Sequence, residues 1–128
     1  MAELKKILHV DDDEDIRVIT KMALEVVGDL EVVQCASGSE ALDEAQSIAP
    51  DLFLLDVMMP EMSGEETYSK LKALEGMGDV PVIFMTAKAY SEDTQSLRDA
   101  GAIGVIVKPF DPMTLCQDIR SAFEGQAA

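Results

Sequence analysis

The chain has 128 residues, 25 of them acidic and 10 basic, for a formal net charge of −15. That length suits one domain, 1–128, burying roughly two-thirds of its unfolded surface, and 48% hydrophobic content with 27% charge excludes a disordered chain. Such acidity argues against direct binding to nucleic acid or an anionic membrane, where basic surface is the driving term.

Ile7–Val10 reads as a first strand, an apolar run of the length expected for a buried one. The N-terminal run is too short for a signal peptide, and no segment approaches a membrane span, so a cytoplasmic protein is expected. Asp15 to Val27 places Ile16, Ile19, Ala23, Val26 and Val27 on one helical face, and Gly28-Asp29 stops that helix. Leu30–Cys35 is a second strand. Cys35 and Cys116 lack CxxC spacing and read as reduced, small apolar residues. Ser37 or Ser39 caps a helix with Ala41, Leu42, Ala45 and Ile48 inward, ending before Pro50.

Leu52–Leu55 is the third strand, and a helix from about Glu65 carries Tyr68, Leu71 and Leu74. Pro81 leads into the fourth strand, Val82–Met85. Ser91 begins a weaker helix with Leu97 and Ala100, closed by Gly101. Ile103–Val107 is the fifth strand. Asp111-Pro112 then supplies an N-cap and first-turn proline for a last helix turning Leu115, Ile119, Ala122 and Phe123 inward. The eight methionines read mostly as core filler.

Five strand–helix units imply an α/β fold whose parallel sheet is covered on both faces. At this length a single flavodoxin-like (βα)5 doubly wound domain is expected, with strand order 2-1-3-4-5, because a barrel needs about twice the chain.

Ligands of open parallel sheets bind beyond the carboxyl ends of the strands. There the first strand ends in Asp11-Asp12, the third in Asp56, the fourth in Thr86 and the fifth in Lys108-Pro109. Two like charges about 4 Å apart repel by roughly 4 kcal/mol at an effective dielectric near 20, so three clustered carboxylates call for a cation. Oxygen ligands alone point to Mg²⁺, or Mn²⁺. Lys108 suits a phosphate oxygen or a carboxylate, and Thr86 offers a hydroxyl. With no glycine-rich nucleotide loop, these parts make half of a phosphoryl-transfer site. The nucleophile is then Asp56, an aspartate that becomes phosphorylated. His9, inside the first strand, reads as a packed, hydrogen-bonded side chain rather than a phosphoryl carrier.

The stretches VDDDED, LLDVMMPEMSG, FMTAKA and GAIGVIVKPF, in that order and spacing, resemble the receiver domain of two-component response regulators, the CheY-like family. The resemblance covers essentially the whole chain. It implies that Asp56 takes a phosphoryl group from a sensor histidine kinase or a histidine phosphotransfer protein. It further implies that Asp12, Asp56 and the Met58 carbonyl bind Mg²⁺, with Asp11 acting mostly through water. Lys108 would pair with Asp56 and then with the phosphoryl group, and Thr86 would turn its hydroxyl to a phosphoryl oxygen. Met58 and Lys88 would tune dephosphorylation, and the Lys108-Pro109 bond is a candidate for cis. The face of the fourth helix, fifth strand and fifth helix would repack to bind an output protein, in a monomer or a phosphorylation-dependent dimer. Receivers often carry an aromatic residue in strand five that moves with the hydroxyl; the matching position here is Val105, so that half of the switch is missing.

On this reading the protein is not an enzyme with turnover on a separate substrate, although it takes up and loses its own phosphoryl group. Two other classes share features. An aspartyl phosphatase of the haloacid-dehalogenase type needs a second acid two residues after the nucleophile, where this chain has Met58. A phosphorylation-independent interaction module of the same fold tends to lose one of the acidic pair, the acceptor or the lysine, all of which are present here.

Overall fold

The computed structural model describes residues 3–87 and 91–125. Its strands are β1 (Lys6–Val10), β2 (Glu31–Cys35), β3 (Leu52–Asp56), β4 (Val82–Thr86) and β5 (Gly104–Val107). All pair in parallel in the order β2-β1-β3-β4-β5, the flavodoxin-like arrangement expected from the sequence. The central strands β3 and β4 are buried along their whole length, as continuous apolar runs require when both faces are covered.

The helices are α1 (Glu14–Met22), α2 (Gly38–Ile48), α3 (Gly64–Lys72), α4 (Ser91–Asp99) and α5 (Leu115–Gly125). Two apolar layers flank the sheet. One joins Ile7, Leu54 and Ile83 to Leu24 and to Leu115, Ile119 and Phe123 of α5. The other joins Leu8, Phe53 and Phe84 to Ala41 and Ala45 of α2, Leu71 of α3 and Leu97 of α4.

Helix starts follow local chemistry. The Asp13 carboxylate accepts from the Asp15 and Ile16 N–H groups, Ser37 Oγ from Glu40, and Ser63 Oγ from Glu66. Ser37, not Ser39, is therefore the cap of α2.

Three expectations need correction. The first helix is not one continuous α-helix to Val27, because Ala23–Val27 form a π-helical turn. The inward residues are Ile16, Thr20, Ala23 and Leu24, whereas Ile19, Val26 and Val27 are exposed, Val26 to 78%. The wider turn rotates the last residues away from the face a 3.6-residue period assigns them. Gly28 stops the element by closeness rather than by a left-handed backbone. Its φ is −96°, and a Cβ there would collide with Cys116 Sγ on α5; the left-handed residue is Asp29.

The last helix begins at Leu115 rather than at Pro112. Asp111 still organises its approach, since its carboxylate accepts from Met113 N–H and its carbonyl from Leu115 N–H. Finally, Met22, Met58 and Met113 are exposed, and only Met77 and Met85 among the described methionines are fully in the core. Among the described residues, no helix is long and apolar enough to cross a membrane.

Candidate functional site

Parallel pairing brings the carboxyl ends of β1, β3, β4 and β5 to one edge of the sheet. Val10 pairs with Leu55, Asp56 with Met85 and Thr86 with Val107, so Asp11, Asp56, Thr86 and Lys108 stand near one level. Asp56 is the last residue of β3 rather than the first of the loop. The chain leaves it by a tight return in which Gly64 N–H donates to the Val57 carbonyl at 3.0 Å. A Cβ on Gly64 would strike the Asp56 carbonyl oxygen, so the N-terminus of α3 approaches the Asp56 backbone only because residue 64 is glycine.

Lys108 joins the carboxylates. Its Nζ donates to Asp56 Oδ1 at 2.9 Å and to Asp11 Oδ2 at 3.0 Å. Asp11 is fully buried and Asp56 is 5% exposed, whereas Asp12 is exposed. Asp11 is further held by Asp13 N–H on Oδ1 at 2.9 Å and by Arg17 Nη1 on its backbone carbonyl at 2.7 Å.

Burial pushes the Asp56 carboxyl above the ordinary aspartate range; the Lys108 hydrogen bond opposes this, and the neighbouring Asp11 and Asp12 charges add to it. Burial disfavours the Lys108 ammonium, but its bonds to Asp56 and Asp11 outweigh that, and its pKa is raised.

The carboxylates of Asp11, Asp12 and Asp56 each bring an oxygen within 4.8 Å of the others. Three hard oxygen donors at that spacing, one of them open to solvent, fit a small divalent cation that retains waters. Asp11 already uses both oxygens toward Asp13 and Lys108, which leaves it suited to holding metal-bound water.

Thr86 is buried at the end of β4, and its carbonyl accepts the Lys108 N–H at 2.7 Å. Met58 lies two residues past Asp56 with its side chain 66% exposed. Val105 is half-buried against the layer containing Phe84 and Leu97. The Lys108-Pro109 peptide is cis. Lys88 lies outside the described residues.

Two supporting residues, Arg17 and Gln34, emerge only in the folded chain. Gln34 stands directly opposite His9 in the β1–β2 register and reaches its Nδ1 at 3.0 Å. A glutamine in an apolar strand was a visible signal, but its partner depends on register. Burial holds the His9 ring neutral, with its pKa lowered to about 3; the Lys108 and Arg17 charges contribute.

A further grouping, Cys35 with Glu40 and Glu44, lies at the start of α2. Cys35 Sγ donates to Glu44 at 3.5 Å. Burial and those carboxylates push the thiol up to about 12, so it stays protonated.

The family model described as "Response regulator receiver domain" matches residues 7–120. A probable transcriptional regulator, ycf27, from Cyanophora paradoxa is 42% identical over 117 residues, covering 91% of this chain and 47% of that protein. The chain thus spans about half the length of the curated relatives it matches. Among solved structures, chemotaxis protein CheY4 of Vibrio cholerae superposes with a TM-score of 0.85 at 33% identity, over 94% of this chain and 99% of that one. A BeF3-activated DrrB receiver domain superposes with a TM-score of 0.79 at 30% identity, over 95% of this chain and 99% of that one.

Proposed function

The chain belongs to the response regulator receiver family of two-component systems, and from that premise we propose that Asp56 accepts a phosphoryl group from a partner's phosphohistidine. The donor is a sensor histidine kinase or a histidine phosphotransfer protein. The observation that carries this reading is the Lys108 ammonium, bonded at once to Asp11 and Asp56 at the carboxyl edge of the sheet.

In the transfer, the N–P bond of the donor breaks and an Asp56 oxygen forms the new P–O bond. The donor imidazole leaves neutral, having taken a proton from solvent. Lys108 meets the charge developing on the phosphoryl oxygens, and Thr86 turns its hydroxyl toward one of them. Asp12, Asp56 and the Met58 carbonyl would hold Mg²⁺, or Mn²⁺, with Asp11 acting through water, and such an ion would supply positive charge against the phosphoryl oxygens. Met58 and Lys88 tune hydrolysis of the acyl phosphate. The protein is thus a carrier that loads and unloads itself, not an enzyme with turnover on another substrate.

Loading changes the face formed by α4, β5 and α5, where Val105 replaces the usual ring, and that face binds an output partner in the cytoplasm, as a monomer or a phosphorylation-dependent dimer. That the curated relative is named as a transcriptional regulator supports an output in gene control; the acidity of this chain argues against DNA contact by these residues themselves.

Acetyl phosphate with Mg²⁺ should add one phosphoryl mass to the chain, and Asp56→Asn should abolish the gain. Continuous hydrolysis of assorted phosphomonoesters would instead identify an aspartyl phosphatase. Partner capture indifferent to the phosphodonor would identify a phosphorylation-independent module.

A further inference from the structure

His9 is completely buried on β1, and its two ring nitrogens differ in their surroundings. Nδ1 lies 3.0 Å from Gln34 Nε2, which also donates to the Arg17 carbonyl at 2.7 Å. An amide nitrogen only donates, so Nδ1 accepts and the neutral ring carries its proton on Nε2. Among the described residues Nε2 has no hydrogen-bond partner, yet Asp11 Oδ2 is 4.0 Å away. That oxygen is the one that takes Lys108 at 3.0 Å.

We propose that His9 is a positioning residue for Asp11: when Lys108 follows the phosphoryl group on Asp56, Asp11 Oδ2 closes onto the His9 Nε2–H, which replaces the lost donor. The exchange rests on the reading of Asp56 as phosphoryl acceptor. Asp11 is built to pivot in this way. Its Oδ1 is fixed by Asp13 N–H and its backbone carbonyl by Arg17, so Oδ2 is the atom left to swing between the ammonium and the imidazole. A buried N–H without an acceptor is unfavourable. The state in which Lys108 holds Asp11 carries that burden, and the state in which Lys108 has moved relieves it. His9 therefore favours the loaded form and keeps the Asp11 carboxylate in place for metal-bound water.

The chain contains one histidine, so long-range proton–nitrogen NMR of the imidazole reads His9 alone. The wild type should show the Nε2–H tautomer. Lys108→Met, which removes the competing donor without any phosphoryl group, should move the Nε2 proton downfield and slow its exchange with solvent. Beryllium fluoride with Mg²⁺ should do the same in the wild type. An Nδ1–H tautomer, or Nε2 signals unmoved by Lys108→Met, overturns the contact. A shift with Lys108→Met but none with beryllium fluoride, in a chain whose Asp56 takes up phosphoryl groups, overturns the exchange. If Asp56 takes up none, the acceptor reading fails instead, and Lys108→Met still decides the His9–Asp11 contact.

His9→Asn keeps an acceptor near the Nδ1 position and deletes Nε2–H. It should weaken beryllium fluoride binding about fivefold, the size of one modest buried hydrogen bond, and His9→Gln should recover part of the loss. Binding equal to wild type in His9→Asn overturns the role; should either variant fail to fold, the wild-type spectra decide.

Discussion

Two almost wholly buried carboxylates share one ammonium at the centre of this site. Lys108→Met leaves Asp11 and Asp56 uncompensated, and breaking such a buried arrangement from one side costs about 3 kcal/mol. Urea unfolding in metal-free buffer at neutral pH measures that loss, and an undiminished midpoint would show that the ammonium is not what offsets the two charges. His9 sets the acid behaviour. The unfolded ring binds a proton below about pH 6.5, whereas the folded ring does so only near pH 3. Between those values the unfolded state holds the extra proton, so falling pH favours unfolding by up to about 1.4 kcal/mol per pH unit. Asp56 works in the opposite sense. Its raised folded pKa supplies stability below the ordinary carboxylate range that is lost as pH rises through the folded value. Comparing wild type with His9→Asn from pH 7 to 5 isolates the histidine, and parallel acid limbs would refute its share. The positions of Asp11, Asp12, Asp56, Thr86 and Lys108 could be read from the sequence because each stands at or just past the carboxyl end of a strand. That Asp11 is buried and Asp12 exposed could not, since adjacent aspartates look alike until Lys108, Asp13 and Arg17 select one of them.

At the scale of elements, the strands were legible and the first helix was not wholly so. Buried apolar runs locate β1, β3 and β4 almost residue by residue. The π-helical turn Ala23–Val27 escapes periodicity because its cause is tertiary. Leu24 carbonyl accepts Leu30 N–H at 2.9 Å, Glu25 accepts Val32 N–H at 3.2 Å, and Gly28 passes close against Cys116 of α5. Thr20 precedes that turn and shares a helical face with Ala23 and Leu24. It is fully buried within α1, yet its Oγ1 has no hydrogen-bond partner among the described residues. Valine has nearly the same shape and no hydroxyl to desolvate, so Thr20→Val should stabilise the protein by about 1 kcal/mol. A lower urea midpoint in Thr20→Val would mean that the hydroxyl finds an acceptor after all.

Across the whole molecule, a net charge of −15 on 128 residues opposes compaction. The strand order was readable because five short strand–helix units leave few chain paths once crossovers are right-handed. The distribution of charge was not, because composition does not say which carboxylates meet. Those spread over the surface respond to general screening, whose length falls from about 30 Å at 0.01 M ionic strength to about 8 Å at 0.15 M. The trio Asp11, Asp12 and Asp56 should respond to a bound divalent ion as well. Thermal unfolding separates the two effects. Raising NaCl should lift the midpoint of wild type and of Asp56→Asn alike. At matched ionic strength Mg²⁺ should lift the wild type further, by about 1.4 kcal/mol when the ion is at ten times its dissociation constant, and this excess should shrink or vanish in Asp56→Asn. Equal responses to Mg²⁺ and NaCl in the wild type would reduce the trio to ordinary surface charge, whereas an excess that survives in Asp56→Asn would place the ion elsewhere.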